Sequence, residues 1–223
     1  MKTYRAKKGS RLAAEKKEER KKRITGMHTT QPIIEGSMIR KWLDIAKDHD
    51  AHRYRGGPSW YLLLVLGFNT GLRISDLVQL RVKDIRGRED FAVEEGKTGK
   101  ERQIHLKRNV CRVITEQLRD MDPDDFALQS RQPDSATGQK RGISRQRAYE
   151  IVKTIAKAAG YEQHVGCHTM RKTYAWSMYD ASGENLALVQ KTLNHSSQAM
   201  TMHYIGLDQR EINETVNRMR SMV

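Results

Sequence analysis

"WYLLLVLGFNTGLRISDLVQL", residues 60–80, changes character at its midpoint. The run from Trp60 to Phe68 is apolar throughout, too short to span a bilayer, and reads as a helix buried in a core. Pro58 precedes it, and the Thr70-Gly71 pair behind it marks a turn. Ile74, Leu77 and Leu80 then recur at the spacing of one helical face, so a second helix is expected to pack beside the first. Arg73 falls at the join. Its guanidinium stays charged and its planar fork suits a carboxylate or a phosphate, so a partner of one kind or the other must meet it there. Asp76, one turn on, would make the pair internal; a phosphate would make Arg73 part of a binding site.

Towards the N-terminus, Met38, Trp42 and Ile45 share a helical face, which starts the folded domain near residue 35 and leaves 1–34 as a basic arm or linker. Towards the C-terminus the period changes. In "FAVEEGKTGKERQIHL" Phe91, Val93 and Glu95 alternate, Gly96 to Gly99 turn, and Ile104 and Leu106 resume, the pattern of a β-hairpin. Val110, Val113, Ile114 and Leu118 return to helical spacing. Residues 129–143 form a polar loop; Ser144 is placed to cap a helix running to Ala159, and Gly160 to stop it. Three more helices are expected near 169–181, 185–194 and 208–220, the last with Ile212, Val216 and Met219 on one stripe. The expected fold class is α+β, mainly α-helical with a small antiparallel β-sheet or hairpin, in one domain over 35–223 that includes the C-terminal helix.

The 223 residues suffice for one domain of ordinary size with an appendage. Net charge is +14 with a pI near 9.9. Residues 1–23 hold eleven Lys and Arg against three Glu, a net +8, and the other 200 residues supply +6. A polycationic block of this kind commonly lies against nucleic acid, although a solvated arm has the same composition. No apolar stretch follows the N-terminal charges, so the chain has no secretory signal pattern, and a cytoplasmic protein without membrane contact is expected. Cys111 and Cys167 are too few for a disulfide framework, and Cys167, His168, His195 and His203 do not fall at zinc spacings, so no metal is expected.

Further polar residues join Arg73. Lys97 sits at the hairpin turn, "HTMR" supplies His168 and Arg171, "LNHSS" supplies His195, and "MHYIG" supplies Tyr204. Thr169 can cap its helix, which would set His168 and Arg171, three apart, at the helix start facing one site. Two arginines, a lysine, two histidines and a tyrosine suit phosphoryl transfer, and with no carboxylate pair to hold magnesium the positive charge must come from the protein. "EEGKT" is not a phosphate loop, because Phe91 stands where the first glycine belongs.

In their order and separations, "TGLRISDLVQL", a lysine on a hairpin, "HTMRKTYA" and "LNHSSQAMTMHY" resemble the tyrosine recombinase (phage integrase) family over about residues 36–210. The resemblance implies the tyrosine recombinase catalytic fold and a site-specific DNA recombinase of integrase or invertase type. Such an enzyme cuts and rejoins double-stranded DNA through a covalent 3'-phosphotyrosine, without metal, ATP or small-molecule cofactor. Tyr204 is then the nucleophile and His168 the general base. Arg73 and Arg171 clamp the non-bridging oxygens, Lys97 protonates the departing 5'-oxygen, and His195 donates to the phosphate. On this view the partner of Arg73 is DNA phosphate, while Asp76 supports the motif's helix. Arg141, Arg145, Arg147 and Lys172 are the expected DNA contacts, and the last helix docks on a neighbour in a homotetramer on two DNA sites.

Plainer readings exist for single residues. His195 could cap a helix C-terminus and Tyr204 could be a core aromatic. The chain also departs from the family pattern: Asn194 stands where glycine is frequent, Lys172 where histidine is common, and residues before 35 are too few for the family's core-binding domain. It therefore reads as a short form, resembling the fimbrial-type inversion recombinases, or as a catalytic fragment. A type IB topoisomerase-like nicking and closing enzyme, or a non-catalytic DNA-binding accessory protein of the same fold, are the alternatives.

Overall fold

The structure, a computed structural model, describes residues 30–52, 59–205 and 216–219. The chain divides into two units after Thr30, the second running from Gln31 to Val223. Residues 1–29 of the basic arm and most of the expected helix over 208–220 lie outside the described residues.

The apolar run becomes α2 (Trp60–Thr70), which follows α1 (Gly36–His52). The Ser59 hydroxyl accepts the Leu62 N–H, and the Asp50 carboxylate accepts those of Trp60 and Tyr61, so the helix start is both capped and given a negative charge. Leu62, Leu63, Leu64, Val65 and Leu66 are all buried, each contributing roughly 2 kcal/mol. Such all-round burial is possible because α2 packs against α1, α5 (Arg108–Gln117) and α7 (Cys167–Ala181). Gly71 ends α2 in the left-handed conformation, with φ 59°.

The second helix is shorter than the spacing suggests. α3 covers only Ile74–Leu77, and α4 (Val82–Ile85) follows after a turn. Leu80 is buried all the same, but in a bridging segment whose carbonyl accepts the Ala127 N–H.

The hairpin forms as expected. β1 (Asp90–Glu94) pairs antiparallel with β2 (Glu101–His105), with Phe91 opposite Ile104 and Val93 opposite Arg102. The inward row of β1 continues past the strand to Glu95, which is fully buried. α6 (Arg145–Ala158) starts on Ser144, whose hydroxyl accepts the Arg147 N–H at 3.0 Å, and gives way to Gly160 at φ 70°.

Two boundaries move. Residues 31–33, which the composition assigns to the arm, pack on the domain: Ile33 is buried and its N–H donates to Thr173 Oγ1 at 2.9 Å. The α7 helix starts at Cys167, so Thr169 is not its cap; the Thr169 hydroxyl instead reaches back to accept the Gly166 N–H at 3.1 Å. His168 and Arg171 still share the first turns.

Past α7, a smaller core of Ala175, Val189, Leu193 and Ile205 holds α8 (Leu186–Thr192) and α9 (Gln198–Ile205). No described helix is long and apolar enough to cross a membrane.

Candidate active site

The chemistry-bearing residues meet where the two cores adjoin. Arg73 follows the Gly71 turn, Lys97 sits between the strands, His168 and Arg171 lie on α7, His195 follows α8, and Tyr204 is on α9. Arg73, Lys97, His168, His195 and Tyr204 line one cleft of about 770 Å³, together with Arg145. Arg171 lies behind it, 1% exposed. Its guanidinium donates to the carbonyls of Gly71 and Leu193, both at 2.8 Å, and so ties α7 to the segment leading into Arg73 and to the one leading into His195.

Tyr204 Oη lies 3.2 Å from His168 Nδ1. Burial, followed by the charges of Arg171, Lys172, Arg73 and Lys97, lowers the His168 pKa below its ordinary value. The ring is therefore neutral at physiological pH, and with its proton on Nε2 its Nδ1 can accept a hydrogen bond from the tyrosine hydroxyl. Tyr204 packs beside the smaller core, yet its hydroxyl is turned to the cleft and not sealed within the fold.

His195 does not cap a helix with its ring; Nδ1 lies 3.1 Å from Thr201 Oγ1. The residue before it, Asn194, has φ 52°, a left-handed conformation that glycine adopts freely and asparagine tolerates. Burial, then Arg171 and Arg73, bring the His195 pKa down to about 4. The unfolded chain takes up a proton near pH 6.5 and the folded chain does not, so stability falls as pH drops from about 6.5 to 4, by up to roughly 3 kcal/mol. His195→Gln is expected to flatten that stretch of the melting-temperature profile; an unchanged slope would place the proton uptake elsewhere.

The Phage integrase family profile matches residues 34–211, most of the chain and every residue of this cleft. The chain belongs to the phage integrase family. It is a tyrosine-type site-specific recombinase: a probable integrase/recombinase of Bacillus subtilis, YoeC, is 36% identical over 183 residues, 82% of this chain and 93% of that protein. Tyrosine recombinase XerD of Listeria innocua is 31% identical over 150 residues, 64% of this chain but 48% of its own length. The recombinase thus spans nearly all of one relative and about half of the Xer proteins. Among solved structures, XerA superposes with TM-score 0.63 at 21% identity, over 86% of this chain and 68% of that one. The bacteriophage HP1 integrase catalytic domain does so with TM-score 0.53 at 18% identity, over 84% and 95%. The fold is the tyrosine recombinase catalytic fold.

The partner of Arg73 within the recombinase is neither Asp76 nor a site left open for phosphate alone. It is Glu95, 2.7 Å from the Arg73 guanidinium and 0% exposed. Burial by itself raises the Glu95 pKa, but the hydrogen bond and charge of Arg73 and the charge of Arg171 outweigh it and hold the carboxyl below its usual value. The carboxylate is ionised. Asp76 is engaged elsewhere, where its Oδ1 accepts the Gly96 N–H at 3.2 Å and joins α3 to the turn that bears Lys97.

Two residues of the site escaped the sequence reading, Glu95 as a counter-charge and Arg102 as a brace. Arg102 is buried and donates to the carbonyls of Thr70 and Gly71 at 2.6 and 3.1 Å. The signal was present, since Arg102 falls in the inward row of β2 and Glu95 continues that of β1, where a polar group must find a partner.

The expected DNA contacts separate. Arg145 lines the cleft, whereas Arg141 and Arg147 line a second concavity of about 400 Å³. Lys172 is not a surface contact: it is 4% exposed, with its ammonium 5.8 Å from the Tyr204 ring.

Proposed function

We propose that this recombinase cuts and rejoins duplex DNA by attack of Tyr204 on a scissile phosphodiester. The bond from Tyr204 Oη to phosphorus forms, the bond to the 5'-oxygen breaks, and a 3'-phosphotyrosyl link and a 5'-hydroxyl result. The carrying observation is the Tyr204 hydroxyl 3.2 Å from a neutral His168, in a cleft that Arg73, Lys97 and His195 also line. A free tyrosine has a pKa of about 10, so the transfer of its proton to His168 is what makes attack feasible at neutral pH.

Arg73 meets a non-bridging oxygen from the cleft wall, and His195 donates a hydrogen bond to the same phosphate. Arg171, held behind the cleft, supplies charge and fixes both segments. Lys97, exposed at the hairpin turn, gives a proton to the departing oxygen. Resealing by another 5'-hydroxyl runs these steps backwards, so the bond energy is conserved and no ATP is needed. Arg145, with Arg141 and Arg147 beyond it, extends the contact along DNA phosphates.

The enzyme works in the cytoplasm as a homotetramer on two DNA sites, joined through its C-terminal helix. Val216 and Met219, 58% and 56% exposed, offer apolar surface for that docking.

A duplex nicked beside the scissile phosphate tests the reading. Incubated in EDTA with DNA flanking the gene, the protein should form a denaturant-resistant adduct whose modified peptide contains Tyr204. Light scattering of the complex on two duplexes should read four protomers. DNA binding without any adduct would favour an accessory protein; relaxation of supercoils by a monomer would favour a nicking and closing enzyme.

A further inference from the structure

Three arginines at the cleft are largely withdrawn from solvent. Arg171 and Arg102 are nearly inaccessible, and Arg73 is 13% exposed. An uncompensated buried charge is strongly destabilising, so a carboxylate is required. Among the described residues, Glu95 is the one carboxylate ion-paired with these arginines: 2.7 Å from Arg73 and 3.5 Å from Arg171.

Glu95 is also held from the other side. Its N–H donates to the Lys100 carbonyl at 2.9 Å, its own carbonyl accepts the N–H groups of Thr98 and Gly99, and Thr98 Oγ1 donates to Oε2 at 3.1 Å. One carboxylate oxygen is thus given to the hairpin turn and the other to the arginines. Its neighbours Glu94, Gly96 and Lys97 line the cleft, but Glu95 does not. It faces the arginines from behind, where it cannot be displaced by an incoming phosphate.

We propose that Glu95 is a positioning residue, whose carboxylate, braced by Arg171 behind the cleft, holds Arg73 in the geometry that meets the scissile phosphate without itself touching DNA. It leaves the remaining fork of Arg73 free for the phosphate and prevents the two guanidinium groups from repelling each other out of register. The lowered Glu95 pKa agrees, since a carboxylate that must act as counter-charge has to stay ionised.

The inference rests on the recombinase reading, and the test separates the two. With the full chain and the nicked duplex, Glu95→Gln is expected to slow adduct formation about ten- to a hundredfold, the range for removing a group that orients a site residue. DNA affinity should change by less than about threefold, because contacts along the duplex are untouched. In an Arg73→Lys background the same substitution should cost less than about threefold more, since both changes act through one guanidinium. Additive losses would overturn the proposal.

A substrate with sulfur in place of the departing 5'-oxygen leaves without needing a proton. It should rescue Lys97→Ala and leave Glu95→Gln slow; rescue of Glu95→Gln would show that Glu95 acts through the lysine turn and would overturn the proposal too. If Glu95→Gln fails to fold, Glu95→Asp carries the test, keeping the charge but withdrawing it by one methylene. It should show the same split between slow cleavage and intact binding, and a wild-type rate would count against us. A wild-type protein that forms no adduct overturns the recombinase reading, and this inference with it.

Discussion

Tyr204→Phe is expected to abolish the covalent adduct, lowering its rate by about four orders of magnitude or more, as removal of a catalytic nucleophile does. The substitution takes away one oxygen. The ring keeps its place beside Ile205 and Leu193 and its 4.6 Å approach to His195, so the fold and the affinity for DNA should stay as they are. The loss can then be assigned to chemistry. Quench-flow gels on the nicked duplex measure the rate, and a filter-binding isotherm measures the affinity. Adduct forming at the wild-type rate in the phenylalanine variant would move the nucleophile to another residue and sink the mechanism.

Gly71→Ala is expected to lower stability by about 2–4 kcal/mol, with two separable causes. At φ 59° any side chain is strained, and a Cβ would lie 2.2 Å from Tyr174 Cδ1, so the ring would have to move. For a chain of this length that predicts a fall in melting temperature of roughly 5–15 °C. Activity should fall as well. The Gly71 carbonyl accepts from both Arg102 and Arg171, so a shifted turn loosens the brace under Arg73. Differential scanning calorimetry and the adduct assay read the two effects. An unchanged melting temperature would mean that Tyr174 yields without cost and that the turn is less tightly packed than its contacts indicate.

Much of the fold was legible because its signals are local. The apolar run of α2, the alternation of the hairpin and the Ser144 cap each act within a few residues, and each appears where its pattern lies. Local patterns also erred in local ways. Ile74, Leu77 and Leu80 keep one face buried, but the chain leaves the helix after Leu77, since a bridging segment buries Leu80 equally well. Thr169 has the chemistry of a cap, yet Gly166 N–H is the group it satisfies. Ile33 carries no periodic partner, and only the tertiary structure shows that it packs into the core.

The amino-acid sequence by itself determined which residues could perform the chemistry: a nucleophile, a base, cations in a set order, and the family that order marks. Tertiary structure alone decided who partners whom. Arg73 had a carboxylate one turn away in Asp76, yet its ion pair is with Glu95, and Asp76 turns to the Gly96 N–H instead. Lys172 had the composition of a DNA contact and was buried under Tyr204. The physical reason is the same in both cases. Charge is written in the residue type, but desolvation depends on what other segments cover, and the cost of burying an unpaired charge makes the arrangement of those segments choose the partner.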